Sequence, residues 1–189
     1  MLMSSMKRLF DLVMAALGLL ALSPLLLWIA MRVRATSEGG AMFVQERVGR
    51  NERVFRCYKF RTMYTAAPNA GSHEVAASWV TPLGVRLRRR KLDELPQLWN
   101  VLRGDMSLVG PRPCLPSQPD VIRARRAADV FSVRPGITGS AQIAGIDMST
   151  PEKLAAADRR YIDTQSFFAD LRIILATARG GGAGDAIKG

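Results

Sequence analysis

Two adjacent carboxylates, Asp93 and Glu94, follow a run of cations in Arg86-Leu87-Arg88-Arg89-Arg90-Lys91-Leu92-Asp93-Glu94-Leu95-Pro96. Acids beside fixed cations suit chemistry on a charged phosphate ester. Mg²⁺ commonly uses one or two protein carboxylates together with substrate phosphates, so this pair is enough to hold it. An aspartate could then attack phosphorus once metal and cations have neutralised the substrate charge. The same two acids also read as a helix cap. Leu95, Leu98, Trp99 and Leu102 recur at helical spacing, Asp93 stands where an N-cap belongs, and Pro96 falls in the first turn. Gly104 would close that helix, whose N-terminal dipole, with the arginines, should hold Asp93 ionised.

Other cations lie on constrained backbone. Arg112 is framed by Gly110-Pro111 and Pro113, and Arg134 precedes Pro135-Gly136. Lys59 and Arg61 alternate with Tyr58 and Phe60 in a β-prone run. With Arg88 they form a set able to grip oxyanions. The glycines of 134–139 permit close backbone approach to a ligand, or serve ordinary turns.

The elements that must position these groups are legible in part. Val44–Val48 and Val54–Arg61 flank a Gly49–Glu52 turn and predict a hairpin. Ser117–Val130 predicts a short helix whose Arg123, Arg125 and Arg126 face solvent or membrane. Ser140–Ile143 predicts a strand containing Gln142. Thr150-Pro151 opens a helix that carries Asp158 and Tyr161 on one side, and Phe167–Leu175 forms a last amphipathic helix. Residues 65–81 read as a surface loop, and the Gly-rich end from Gly180 as a flexible tail.

Leu9 to Met31 is apolar and long enough to cross a bilayer, since about 20 residues suffice. It lacks the short core and cleavage site of a signal peptide. Lys7 and Arg8 precede it while Arg32 and Arg34 follow. Positive charge marks the cytoplasmic side, so symmetric flanks ask both ends to stay there. Ser23-Pro24 interrupts the run, because proline removes a backbone bond that a serine hydroxyl can partly replace. The expectation is a re-entrant helix over residues 1–35, a cytoplasmic domain over 36–179 and a tail over 180–189. Its competitor is a tilted span with a proline kink.

Composition narrows the classes. The 189 residues carry net charge +11, which calls for an anionic partner such as anionic lipid or a phosphorylated substrate. A base-stacking aromatic ladder is missing, so nucleic acid is not expected. One histidine, His73, and two cysteines, Cys57 and Cys114, without metal spacing argue against zinc and Ser-His-Asp chemistry.

Lys59–Met63, the long motif from Leu92 to Pro113 and Arg134–Gly139 together resemble the bacterial sugar transferases known as monotopic phosphoglycosyl transferases. The likeness runs from Lys7 to about Leu175, in the minimal form without extra membrane helices. It implies that Asp93 attacks the β-phosphorus of a UDP-sugar, releasing UMP, before a polyprenyl (undecaprenyl) phosphate takes the phosphosugar from the aspartate and glycan assembly begins. It implies that Glu94 assists through Mg²⁺ or proton transfer and that Lys59, Arg88 and Arg112 engage phosphates. Arg134, Gln142 and Asp158 complete the expected substrate-binding set, and Ser23-Pro24 matches the family's helix break. Location at the bacterial inner membrane follows, facing the cytoplasm. Where many members carry Gly-Arg, Gly145 is followed here by Ile146, so the sugar is not named. A homo-oligomer is compatible with the sequence. The expected fold is mixed α/β and helix-dominated, with the re-entrant helix, a small hairpin and interfacial helices. Two other classes remain open at this point: a non-catalytic basic membrane module, and a membrane phosphohydrolase.

Overall fold

The fold, taken from a computed structural model, is described for residues 2–67 and 76–182. His73 and part of the expected 65–81 loop therefore lie outside the described residues, as does the tail beyond Gly182.

The apolar N-terminal run forms α1 (Leu2–Thr36), with Pro24 inside it. Proline has no N–H for the carbonyl four residues back, and Ser23 Oγ donates to that carbonyl, Leu20 O, at 2.8 Å. The hydroxyl thus supplies the bond the proline removes. Among the described residues, this is the one helix long and apolar enough to cross a membrane.

Next come β1 (Met42–Val48) and β2 (Val54–Phe60), antiparallel from Met42 opposite Phe60 to Val48 opposite Val54. The expected turn joins them, with Asn51 at φ 55°. β2 organises the interior. Cys57 packs with Ala15, Val101 and Met106, Phe60 packs with Ile29, Val33 and Leu87, and Val48 across the ladder joins Cys114, Val121 and Leu154. Each of the larger aliphatic and aromatic side chains among them contributes about 1.5–3 kcal/mol. α1 therefore supplies part of the core.

Two helices follow, α2 (Pro82–Arg89) and α3 (Gln97–Arg103). The chain then makes β3 (Ser107–Val109), α4 (Pro119–Ala127) and β4 (Gly136–Thr138), the two strands pairing in parallel. Ser140–Ile143 is a short helix, α5, not the expected strand; the strand is the Gly136–Thr138 segment just before it. Last come α6 (Pro151–Asp163), which starts where expected, and α7 (Phe167–Ala178), which starts where expected and runs three residues past Leu175. Ser166 caps α7 by accepting from Ala169 N at 3.2 Å. Thr150 occupies the N-cap of α6 without a side-chain capping bond.

Buried polar contacts fix α1 to this body. Asp11 accepts from Ser107 Oγ at 2.8 Å and from Leu108 N at 3.2 Å. Lys7 Nζ reaches Asp170 at 2.6 Å, and Tyr161 donates to the other oxygen of Asp170 at 2.8 Å. Phe10 meets Phe167 edge-on, their rings 5.2 Å apart.

Candidate active site

α2 starts at a Thr81 cap, whose hydroxyl accepts from Gly84 N at 2.9 Å. Gly84 lies so close to Thr62 that a Cβ would stand 2.1 Å from the Thr62 carbonyl oxygen. That approach lets Arg88 Nε donate to Thr62 Oγ1 at 2.8 Å, fixing the arginine beside the end of β2. The chain leaves α2 through Lys91 in the left-handed region, φ 55°, into a single 3₁₀ turn, Leu92–Glu94.

Both acids of that turn are buried, Asp93 to 2% exposure. Asp93 is not the N-cap of α3; Pro96 holds that position, and α3 is seven residues long. The expected cap role fails because Asp93 lies inside a 3₁₀ turn that ends before the helix begins. Glu94 Oε1 accepts from Lys59 Nζ at 3.0 Å and from Arg112 Nη2 at 2.7 Å. A buried carboxylate needs such pairing, and here two cations from separate elements provide it.

The expected apolar face of α3 is also revised. Gln97, Asn100 and Val101 are the buried positions, while Trp99 is 52% exposed. Leu98 and Leu102 pack at the edge of the Cys57 group. Asn100 turns inward because it completes β2: its Oδ1 accepts from Tyr58 N at 3.1 Å and its Nδ2 donates to Arg56 O at 2.7 Å. Gly104 closes the helix at φ 91°, as expected.

Every carbonyl of Pro111-Arg112-Pro113 is held. Pro111 O accepts from Gly136 N at 2.9 Å, Arg112 O from Arg125 Nη1 at 2.6 Å, and Pro113 O from Arg47 Nη1 at 3.0 Å. Arg125 is 1% exposed and forks onto Asp158 Oδ2 through Nε at 3.0 Å and Nη2 at 2.7 Å. The expectation of a solvated Arg125 is thereby overturned. Burial pushes the Asp158 carboxyl above the ordinary carboxylate range, and Arg125 offsets only part of that rise. Asp158, itself 2% exposed, supports the Arg112 loop from behind.

Lys59 and Arg112 thus converge on the acidic turn, with Arg88 held on Thr62 nearby. Arg134 does not join them. Its Nε donates to Gly104 O at 2.9 Å, at the opposite end of α3, near Arg8 and Arg50. The close approach permitted by the 134–139 glycines is to protein backbone: a Cβ on Gly136 would stand 2.1 Å from Gly110 N. Gln142 lies on α5, and its Oε1 is buried without a hydrogen-bond partner among the described residues. Arg47 and Arg125 were missed by sequence reasoning, because nothing in the local pattern separates a buried arginine from a solvated one.

Comparison with known proteins gives the family. The profile of the bacterial sugar transferases matches residues 2–181. The chain belongs to that family. It is 42% identical over 180 residues to the UDP-glucose:undecaprenyl-phosphate glucose-1-phosphate transferase of Caulobacter vibrioides, covering 90% of this chain and 67% of that protein. It is 40% identical over 186 residues to the undecaprenyl-phosphate glucose phosphotransferase of Komagataeibacter xylinus, covering 92% of this chain and 35% of that one. The uncharacterized sugar transferase EpsL of Bacillus subtilis is 40% identical over 174 residues, covering 92% and 86%. In this sugar transferase the matched region includes the membrane helix, the acidic turn and the Arg112 loop.

Proposed function

We propose that this sugar transferase moves a sugar phosphate from a UDP-sugar onto undecaprenyl phosphate, through an aspartyl intermediate on Asp93. The observation that carries the reading is the buried Asp93-Glu94 turn, with Lys59 and Arg112 meeting on Glu94. The names of the Caulobacter and Komagataeibacter relatives supply the acceptor, and the Caulobacter name a UDP-hexose donor.

In the first step an Asp93 carboxylate oxygen bonds to the β-phosphorus of the donor. The bridging P–O bond breaks, and UMP departs with its electron pair. In the second, an oxygen of the lipid phosphate attacks the same phosphorus, the aspartyl–phosphorus bond breaks, and the Asp93 carboxylate is regenerated. Lys59 and Arg112 hold Glu94 and offer positive charge to the diphosphate, as does Arg88. The donor set suits Mg²⁺, which commonly takes one or two carboxylates such as these two adjacent buried acids together with substrate phosphates. Such an ion would rest on Asp93, Glu94 and substrate phosphates, and would supply charge neutralisation.

Membrane entry and exit by one face is part of the proposal. Ala15 belongs to the group around Cys57, whereas Ile29 and Val33 belong to that around Phe60. Those β2 positions lie about 10 Å apart along the strand. A straight helix from Ala15 to Ile29 would run about 21 Å. Docking of both parts on one body supports a re-entrant path through Ser23-Pro24, with the body on the cytoplasmic side of the inner membrane. Reporter tags at both termini in sealed vesicles test this, and labelling from opposite sides would overturn it.

The chemical test is UMP release from a panel of UDP-sugars with undecaprenyl phosphate. Asp93→Asn should abolish it, and mass spectrometry after incubation with donor alone should detect a phosphosugar adduct that this variant lacks. Wild-type turnover by Asp93→Asn would end the covalent reading.

A further inference from the structure

Lys91 has no part in the scheme above, yet its position is unusual. It follows the C-terminus of α2 with φ 55° and ψ 20°, and its N–H donates to Arg88 O at 3.0 Å. A left-handed residue just past a helix is ordinarily glycine, because a Cβ there crowds the backbone. A lysine pays that strain, so its side chain is the feature to explain. The turn holding the acids starts on it, since Glu94 N donates to Lys91 O at 3.3 Å.

The ammonium is half-buried and lies near Glu94 and Arg112. Burial pulls it below the ordinary lysine range, with Glu94 opposing the shift and Arg112 adding to it. Among the described residues it forms no ion pair, and its hydrogen bond goes to the carbonyl of Gly181. An ammonium has three donors, and that bond uses one. The carbonyl itself is firmly placed. Gly181 N donates to Ala176 O at 2.8 Å, and a Cβ on Gly181 would stand 2.7 Å from that same oxygen, so the backbone wraps the end of α7. A half-buried cation with no acid partner among the described residues, beside two charged site residues and parked on a neutral carbonyl, is arranged for an anion.

We propose that Lys91 is a further phosphate-binding residue, donating to a phosphate oxygen at the Glu94–Arg112 end of the site while the Gly181 carbonyl keeps its ammonium in position. This rests on the proposed transferase reading. The phosphate belongs either to the nucleotide diphosphate or to the lipid phosphate.

Lys91→Gly and Lys91→Met in the full chain, held in nanodiscs, separate these sources and test the role. Glycine removes the charge and relieves the backbone, whereas methionine removes the charge and keeps the strain. Binding of UDP and of undecaprenyl phosphate should be measured in parallel with thermal unfolding. Both variants should bind one or both ligands roughly 10- to 100-fold more weakly, the scale of one charge-assisted hydrogen bond. Lys91→Gly should unfold at the wild-type temperature or above it. The ligand that loses affinity identifies the source. Wild-type affinity for both ligands in both variants overturns the proposal. So does a loss confined to Lys91→Gly and accompanied by a lower unfolding temperature, since that is a structural defect. If the wild-type chain binds neither ligand, the transferase reading itself fails.

Discussion

Arg112 depends on residues that never reach the acids. Its backbone carbonyl is held by Arg125, which Asp158 holds in turn, and its guanidinium meets Glu94. Breaking a buried pair from one side leaves a charge uncompensated, so Asp158→Asn should destabilise the fold by about 3–5 kcal/mol, read by denaturant unfolding. Replacing both partners, as Arg125→Leu with Asp158→Leu, is commonly near neutral for stability. The double variant should nevertheless lose about 10- to 100-fold in turnover, because nothing then fixes the Arg112 carbonyl. Unchanged UMP release from a well-folded double variant would reduce the pair to a packing feature. Sequence reasoning counted Arg125 with Arg123 and Arg126 as surface because all three are charged neighbours on one helix. Burial was decided by Asp158, 33 residues away.

Among the elements, α3 and the β3–β4 pair set the geometry around the site. The i, i+3, i+4 pattern predicted a helix here, and a helix forms, but its inward face is chosen by Asn100. Asn100→Leu keeps the size of the side chain and strands the Tyr58 N–H and Arg56 C=O. About 1–3 kcal/mol should be lost for each group left unsatisfied, measurable by denaturant unfolding. Gly136→Ala should be costlier than an ordinary overpacking change of about 1–3 kcal/mol, since the new methyl would meet backbone with no room to yield. Its damage should reach the site as well: Gly136 N is the donor to Pro111 O, so UMP release should fall with stability. Glycine in 134–139 was legible as a demand for close approach. What approaches was not, because the partner strand lies far along the chain.

For the whole molecule, α1 is both the helix long and apolar enough to enter a membrane and a core element. Exposed Phe167, Phe168, Leu171 and Leu175 on α7 continue the apolar surface of α1 beside Phe10. Phe168→Asp with Leu175→Asp should weaken association with lipid vesicles while leaving the fold intact, as both side chains are exposed and the Phe10–Phe167 contact is kept. Flotation with vesicles measures the first, and circular dichroism the second. Stability should also fall in alkali. Burial pushes the thiols of Cys57 and Cys114 above their ordinary value of 9.0, and burial, then Asp170, pushes the Tyr161 hydroxyl above its 10.0. Above pH 9 the unfolded chain releases protons that the folded chain keeps, so the folded state loses ground as pH rises. Cys57→Ala with Cys114→Ala should flatten the decline in unfolding temperature between pH 8 and about 10.5.

Taken by itself, the sequence determined what is local or periodic: the apolar helix with its Ser-Pro pair, the hairpin, the acids among cations, and the three motifs that carry the family likeness. These depend on neighbours a few residues apart, and chain order preserves them. Tertiary structure decided which charges meet. Lys59 and Arg112 reach Glu94, Arg134 turns away to Gly104, Asp158 takes Arg125, and Lys91 rests on Gly181. A charged side chain looks alike in sequence whether it is solvated or paired. Its partner is set by packing between distant segments, which desolvates the charge and leaves an opposite charge or a carbonyl as its way to be satisfied.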